Sequence, residues 1–426
     1  MALPEKYSDW AKVLGQFLSI EIMVQGLNVL TGIWLVRILS QNEYAYYTIA
    51  MGMLSTISLM SDSGISFGIT AIGGKVWRDR FRFGQLINTA LRIRYFLAAI
   101  SITLVSPVLI WMLVHNGASW GYTILITLIV LIGVNFQLTS AVLMIVPRLH
   151  SQIRIIQNLD LISSLSKFFL LVIAYFTMLN AALATATSVV AYAVYRFGLG
   201  NLVTQKIDTE ASQNPEDRKE IIKIIKRTAP NTVFYCFQSQ ITLLLLSLFG
   251  SVQNIAEIGA LGRLTLVFSI TSSVLGNILV PSFVRCQSYQ LLLKRYFLIV
   301  LGASLFSLLL LILAIVFPHQ VLWILGGKYQ HLDSELALVI LAAGLNFISG
   351  VMWSLNSSKA WLNGVMLQIP GTLLIQVIGI MFLNLSTLHG VILFSMCPLV
   401  QSFILNSHMT YRGLKEKALE EYGNQG

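Results

Sequence analysis

Charge is what this sequence has least of: Asp, Glu, Lys and Arg together make up 11% of its 426 residues. A soluble domain carries about 25% charged residues, so no water-facing surface can be assembled from this composition. Cysteine is also scarce. Cys236, Cys286 and Cys397 are an odd, widely spaced set, which offers neither a disulfide framework nor a thiolate metal site. The histidines at 115, 150, 319, 331, 389 and 408 are scattered, and no HExxH, GxSxG or P-loop sequence occurs. Metalloprotease, serine-hydrolase and nucleotide-hydrolysing chemistry lose their usual signatures, and no cofactor is expected.

What is abundant is apolar sequence: 56% hydrophobic residues and a mean hydropathy of +0.76. A run of about 20 apolar residues spans the roughly 30 Å hydrocarbon core of a bilayer. Twelve such runs are present, at 13–36, 44–72, 86–114, 121–146, 158–177, 181–203, 230–249, 257–281, 295–317, 335–356, 364–384 and 388–410. The expected fold is therefore an all-α, multi-pass membrane protein. The opening MALPEKYSDW has no short apolar core followed by a cleavage site, so the first span is expected to remain as an anchor.

The formal net charge of +10 raises the question of nucleic acid. The bases, however, sit in short clusters between apolar runs, including KVWRDRFR at 75–82, the 204–229 segment and the C-terminal RGLKEK. Membrane topology explains that placement and nucleic-acid binding does not. Nearly all of the bases fall in the tails and in alternate loops, so both termini are expected on the cytoplasmic side, in a cell inner (plasma) membrane.

Segment 204–229, TQKIDTEASQNPEDRKEIIKIIKRTA, is the longest polar stretch and lies at mid-chain. It reads as a cytoplasmic linker between six-helix lobes at 1–203 and 230–411, with 412–426 as a tail. Its Ile/Lys half is expected along the inner membrane surface; the plainer reading is a solvated loop running into span seven. The two lobes look like copies. In span one Glu21, Gln25, Asn28 and Gly32 share one helical face, and an offset of 210 carries them onto Asn231, Tyr235, Gln238 and Thr242 of span seven. These stripes are expected to form two facing walls of a central cavity.

Ionisable residues within spans are costly, so they mark an interior or a wet cavity. Glu21 lies roughly 12 Å from the start of span one and Lys167 roughly 14 Å along its own span. Lys167 is either a cavity cation meeting an anionic substrate or the partner of Glu21. Arg263 either lines the outer mouth or snorkels to the surface, and snorkelling is the better account of Arg196. Asp62, in SDSGIS, is either a hinge and ion-coupling site at a helix break or the cap of the next turn. His319, His331 and Asp333 read as solvated loop residues. Glu21 and Asp62 are the candidates for ion coupling, and no metal site is expected.

The segment LVRILSQNEYAYYTIAMGMLSTISLMSDSGISFGI resembles the opening of the polysaccharide-transport (Wzx-type) flippases, within the superfamily that also holds drug exporters. The likeness rests on Arg-x-Leu-Ser ending span one, Glu43-Tyr44 in a short outer turn, and a long span two breaking at Asp-x-Gly. LGNILVPSFVR at the end of span eight is similar as well. The resemblance implies two six-helix lobes around a central cavity and alternating access. It implies export of a polyprenyl-pyrophosphate-linked oligosaccharide, the repeat unit of an O-antigen, capsule or exopolysaccharide. The partners it implies are that lipid-linked oligosaccharide, membrane lipids, a polysaccharide polymerase and a chain-length regulator. The family's cavity is cationic; Lys167, Arg196 and Arg263 are the residues here that fit, and Glu21 runs against it. With no nucleotide motif, coupling to an ion gradient is the expected energy source.

Two rival readings remain. A drug or cation exporter of the same superfamily needs a carboxylate-rich, aromatic site. A membrane polymerase or ligase needs a substantial outer domain, whereas the longest outer loop here, 318–334, is short.

Overall fold

In a computed structural model the described residues are predominantly helical, with no strand among them. The backbone is described over 5–422 except at 151, 285, 287, 360 and 362. Side chains are described over 20–419 apart from those positions and 274, 277, 278, 281 and 282. Arg285 of the span-eight motif therefore lies outside the described residues.

The N-terminal unit, Met1–Ser247, contains α1 (Glu5–Ile38), α2 (Gln41–Asp62), α3 (Ile65–Val76), α4 (Arg80–His115) and α5 (Trp120–Leu143). It continues with α6 (Ile145–Leu149), α7 (Ile153–Tyr175), α8 (Ala181–Val203) and most of α9 (Pro215–Phe249). Short polar caps fix where the helices start. Ser40, Asp79, Ser119, Asn180 and Asn214 each accept a backbone N–H from the first turn that follows, satisfying donors that the helix leaves open. Small residues let α8 approach its neighbours. Gly133 of α5 lies against Val189, and Gly198 of α8 against Leu159 of α7.

The C-terminal unit, Leu248–Gly426, contains α10 (Val252–Leu264), α11 (Leu266–Val274), a π-helical turn at Leu275–Leu279, and α12 (Val280–Val284). It continues with α13 (Tyr289–Val316), α14 (Pro318–Trp323), α15 (Asp333–Ser358), α16 (Gln368–Phe382) and α17 (Leu388–Tyr422). Within it α15 packs on α13 and α17, with Asn356, Asn406 and Thr410 joined in a buried hydrogen-bond cluster. Lys359, just past α15, donates to the carbonyls of Val284 and Cys286, satisfying acceptors around the end of α12. Burial at that position holds its ammonium below the ordinary lysine pKa.

Among the described residues eleven helical stretches are long and apolar enough to cross a membrane, which makes this a multi-pass membrane protein. The second expected span, 44–72, is divided into α2 and α3. Ser63 and Gly64 between them have φ of 37° and 95°, left-handed values that end one helix and start the next. A Cβ on Gly64 would stand 2.3 Å from Thr228 Oγ1, so the position has room only for glycine. Thr228 in turn donates to the Ser63 carbonyl at 2.6 Å, satisfying an acceptor freed by the break.

That contact shows where the mid-chain segment goes. Residues 204–214 are docked on the start of α4: Asp208 N–H donates to Arg80 O, and Asn88 donates to the carbonyls of Thr209 and Ala211. The Ile/Lys stretch differs from the expectation of a helix lying on the membrane surface. It is the beginning of α9, continuous with span seven, and its Ile221 and Ile225 are buried with Ile65, Ile69 and Phe83. The side carrying Ile221 and Ile225 is covered by α3 and α4, while Ile222 and Ile224 are half-buried. Arg82 and Asp217 add a two-pronged ion pair, at 2.5 and 2.6 Å, in which the Asp217 carboxylate is almost wholly enclosed.

Candidate functional site

A polar cavity of about 370 Å³ lies within the N-terminal unit among α1, α7 and α8. Each wall comes from helical spacing. Glu21, Val24, Gln25 and Asn28 of α1 stand at i, i+3, i+4 and i+7, and Asp160, Ser163, Ser164 and Lys167 of α7 repeat that pattern. Ser188, Ala191 and Tyr192 of α8 complete the lining. At the end of α1 away from Glu21, Trp34 packs on Phe168 and Tyr175, both at 5.9 Å between ring centroids, clamping α1 to α7.

Gln25 donates to Glu21 Oε1 at 3.1 Å, which orients that carboxylate, while Ser163 donates across to the Ala191 carbonyl. Lys167 makes no ion pair within 4.0 Å with Glu21 or Asp160. Of the two readings of Lys167, cavity cation or partner of Glu21, no Glu21 pair is present, and Lys167 is among the residues lining the cavity. Two carboxylates and one ammonium share this space. Like charges in a confined space repel, and a proton or metal cation relieves that repulsion.

Asp160 is the residue that sequence reasoning missed. It lies two residues inside the expected start of its span at 158 and so reads as an end group. The helix begins at Ile153, which carries Asp160 a full turn further in. The signal was present as its spacing of seven from Lys167. Arg94 also goes unmarked in the sequence, eight residues past the expected start of its span at 86. It is buried, with 4% of its surface exposed, and its Nη1 lies 3.0 Å from Asp62 Oδ1.

Asp62 also accepts from Ser66 at 2.6 Å, so it both binds Arg94 and ties the two sides of the α2/α3 break. It lies outside the cavity lining. Asn231, Tyr235 and Gln238 are on α9, and none of them lines this cavity. Arg196 is half-buried on α8, one turn beyond Tyr192 and outside the lining. Arg263 lies in the last turn of α10, in the C-terminal unit. In the 318–334 loop His331 pairs with the buried Glu257 at 2.9 Å and His319 approaches Asp333 at 3.6 Å. Among the described residues no group of three or more His, Cys, Asp or Glu is placed to hold a metal ion.

No protein-family model matches this chain, and no curated protein matches it. Solved structures do. An inward-facing multidrug resistance MATE family transporter of the MOP superfamily superposes with a TM-score of 0.70 at 16% identity, over 94% of this chain and 98% of that one. The MATE multidrug transporter DinF-BH matches with a TM-score of 0.65 at 17% identity over 94% of each. A MOP superfamily transporter from Pyrococcus furiosus, described as having a binding pocket of reverse polarity, matches at 0.58 and 15% over 94% of each. The chain thus has the fold of the MOP-superfamily transporters. At these identities the likeness is one of architecture, and none of the matches separates the polysaccharide flippases from their relatives.

Proposed function

We propose that the chain is a secondary transporter, working by alternating access, in which a cation taken up at Glu21 and Asp160 drives export of an amphipathic organic cation. The observation that carries this reading is the cavity itself: two carboxylates against one ammonium, in a fold shared with multidrug transporters. The objection to this reading is that the candidate ionisable residues within the spans include three bases, Lys167, Arg196 and Arg263, against two acids, Glu21 and Asp62. Asp160 weakens it. The cavity suits an ion with a few waters better than a drug-sized molecule, because its volume is near the lower bound of about 300 Å³ for ligand pockets and its walls are polar. It is therefore read as the coupling site. Proteoliposomes loaded with a lipophilic cationic dye test this directly. Dye movement should follow an imposed ion gradient and be lost in the Glu21→Gln/Asp160→Asn double variant; movement that ignores the gradient sinks the reading.

One observation favours a second substrate. Lys167 lines the cavity with no ion pair among the described residues, and an anionic pyrophosphate needs such a cation. On that reading the chain flips a polyprenyl-pyrophosphate-linked oligosaccharide in the inner membrane, both termini inside, beside a polymerase and chain-length regulator. Complementation of a flippase-deficient strain by the wild type, lost with Lys167→Ala, would decide for it against dye export.

A further inference from the structure

The residues lining the cavity carry the kind of oxygen ligands a hard monovalent cation takes: the carboxylates of Glu21 and Asp160, the amides of Gln25 and Asn28, and the hydroxyls of Ser164 and Ser188. Among them stands a cation that belongs to the chain. Lys167 is seven residues along α7 from Asp160, on the same face. We propose that Lys167 excludes sodium ions from this cavity and makes it a site for protons, its tethered ammonium taking the electrostatic place of a metal ion. The proposal rests on reading the cavity as the coupling site, and it names the coupling ion.

Charge counting supplies the first step. With both carboxylates ionised, the cavity carries −2 from Glu21 and Asp160 and +1 from Lys167, a net charge of −1 that one proton cancels. Without the ammonium the deficit is two, enough to hold a metal cation. Coordination chemistry supplies the second. An ammonium has three donors and no lone pair, so it cannot ligate sodium and can only repel it. In a partly enclosed space that repulsion corresponds to a loss of sodium affinity on the order of tenfold or more. Reach supplies the third. The lysine stem is long and flexible, so its head can move toward the carboxylates when both are ionised and away when one is protonated. The titratable groups facing the cavity are Glu21 from α1, Asp160 and Lys167 from α7, and Tyr192 from α8; no histidine lines it.

Binding of radioactive sodium to the purified full-length chain, by scintillation proximity at mildly alkaline pH, tests this without any transport assay. The wild type should show no saturable binding. Lys167→Met should gain it, by about tenfold or more over wild type. Lys167→Arg should not gain it, and adding Glu21→Gln to Lys167→Met should abolish the gain. Lys167→Gln replaces the methionine variant if the latter is not monodisperse. Saturable sodium binding by the wild type that Glu21→Gln removes would overturn the proposal. So would a folded Lys167→Met or Lys167→Gln chain that gains none. A chain that exports nothing yet gains sodium binding on loss of Lys167 would defeat the transport reading and leave this one standing.

Discussion

The hydroxyl of Tyr122 donates to Glu43 Oε2 at 2.6 Å, and the same oxygen accepts the Ala181 N–H at 2.6 Å. One carboxylate from the first turn of α2 thereby joins the starts of α5 and α8, placed where the N-terminal dipole of α8 favours a negative charge. Replacing it removes a charged acceptor from two donors at once. Glu43→Ala should destabilise the protein by about 2 kcal/mol, read as a lower unfolding temperature in detergent, and should leave transport per folded molecule unchanged.

The cavity carboxylates are expected to behave in the opposite way. Each of Glu21→Gln and Asp160→Asn keeps the shape and most of the hydrogen bonding of its side chain, so the unfolding temperature should stay close to wild type. Gradient-driven transport should fall on the order of tenfold or more, measured as initial dye efflux at matched protein density. Unchanged efflux in both single variants would remove the cavity from the coupling step.

Asp62 now separates from Glu21. Losing it leaves Arg94 buried without its counter-charge, a loss that costs about 3 kcal/mol, whereas removing both charges together is often neutral. Asp62→Asn should therefore lower the unfolding temperature, and Asp62→Asn combined with Arg94→Met should recover much of it. A coupling role would instead show as full stability with lost gradient dependence.

The break between α2 and α3 offers a steric test. Gly64→Ala places a Cβ against Thr228 in a left-handed backbone, so a loss of about 2 kcal/mol is expected. Thr228→Ser keeps the hydroxyl and should not relieve it. Thr228→Ala, added to Gly64→Ala, removes the obstructing oxygen and should restore part of the loss, the backbone strain remaining.

The membrane fold was plain in the sequence because about 20 apolar residues can serve few other ends. The break at Ser63–Gly64 was equally plain, since Asp, Ser and Gly in succession loosen a helix wherever they fall. The site was only half legible. Glu21, Gln25 and Asn28 of α1 share the lining of one cavity with residues of α7 and α8, and Asn231, Tyr235 and Gln238 of α9 are not in that lining. Periodicity tells which residues share a face, and it is silent about which helix that face meets. Asp160 was hidden by an apolar run whose helix starts earlier than its hydropathy does. The Ile/Lys stretch misled because an amphipathic face reads the same whether it is covered by lipid or by Ile65, Ile69 and Phe83.

The docking of α9 on α3 and α4 has a consequence for building with this protein. The repeat suggested by the stripes would place a fragment boundary near residue 203, but a piece ending there exposes the surfaces of Ile65, Ile69 and Phe83 that Ile221 and Ile225 cover. It also strips Asp217 from Arg82. A chimera or split-chain pair joined after Phe249 would instead carry its own cover, so the exchangeable module of this chain is longer than a six-helix lobe ending at 203.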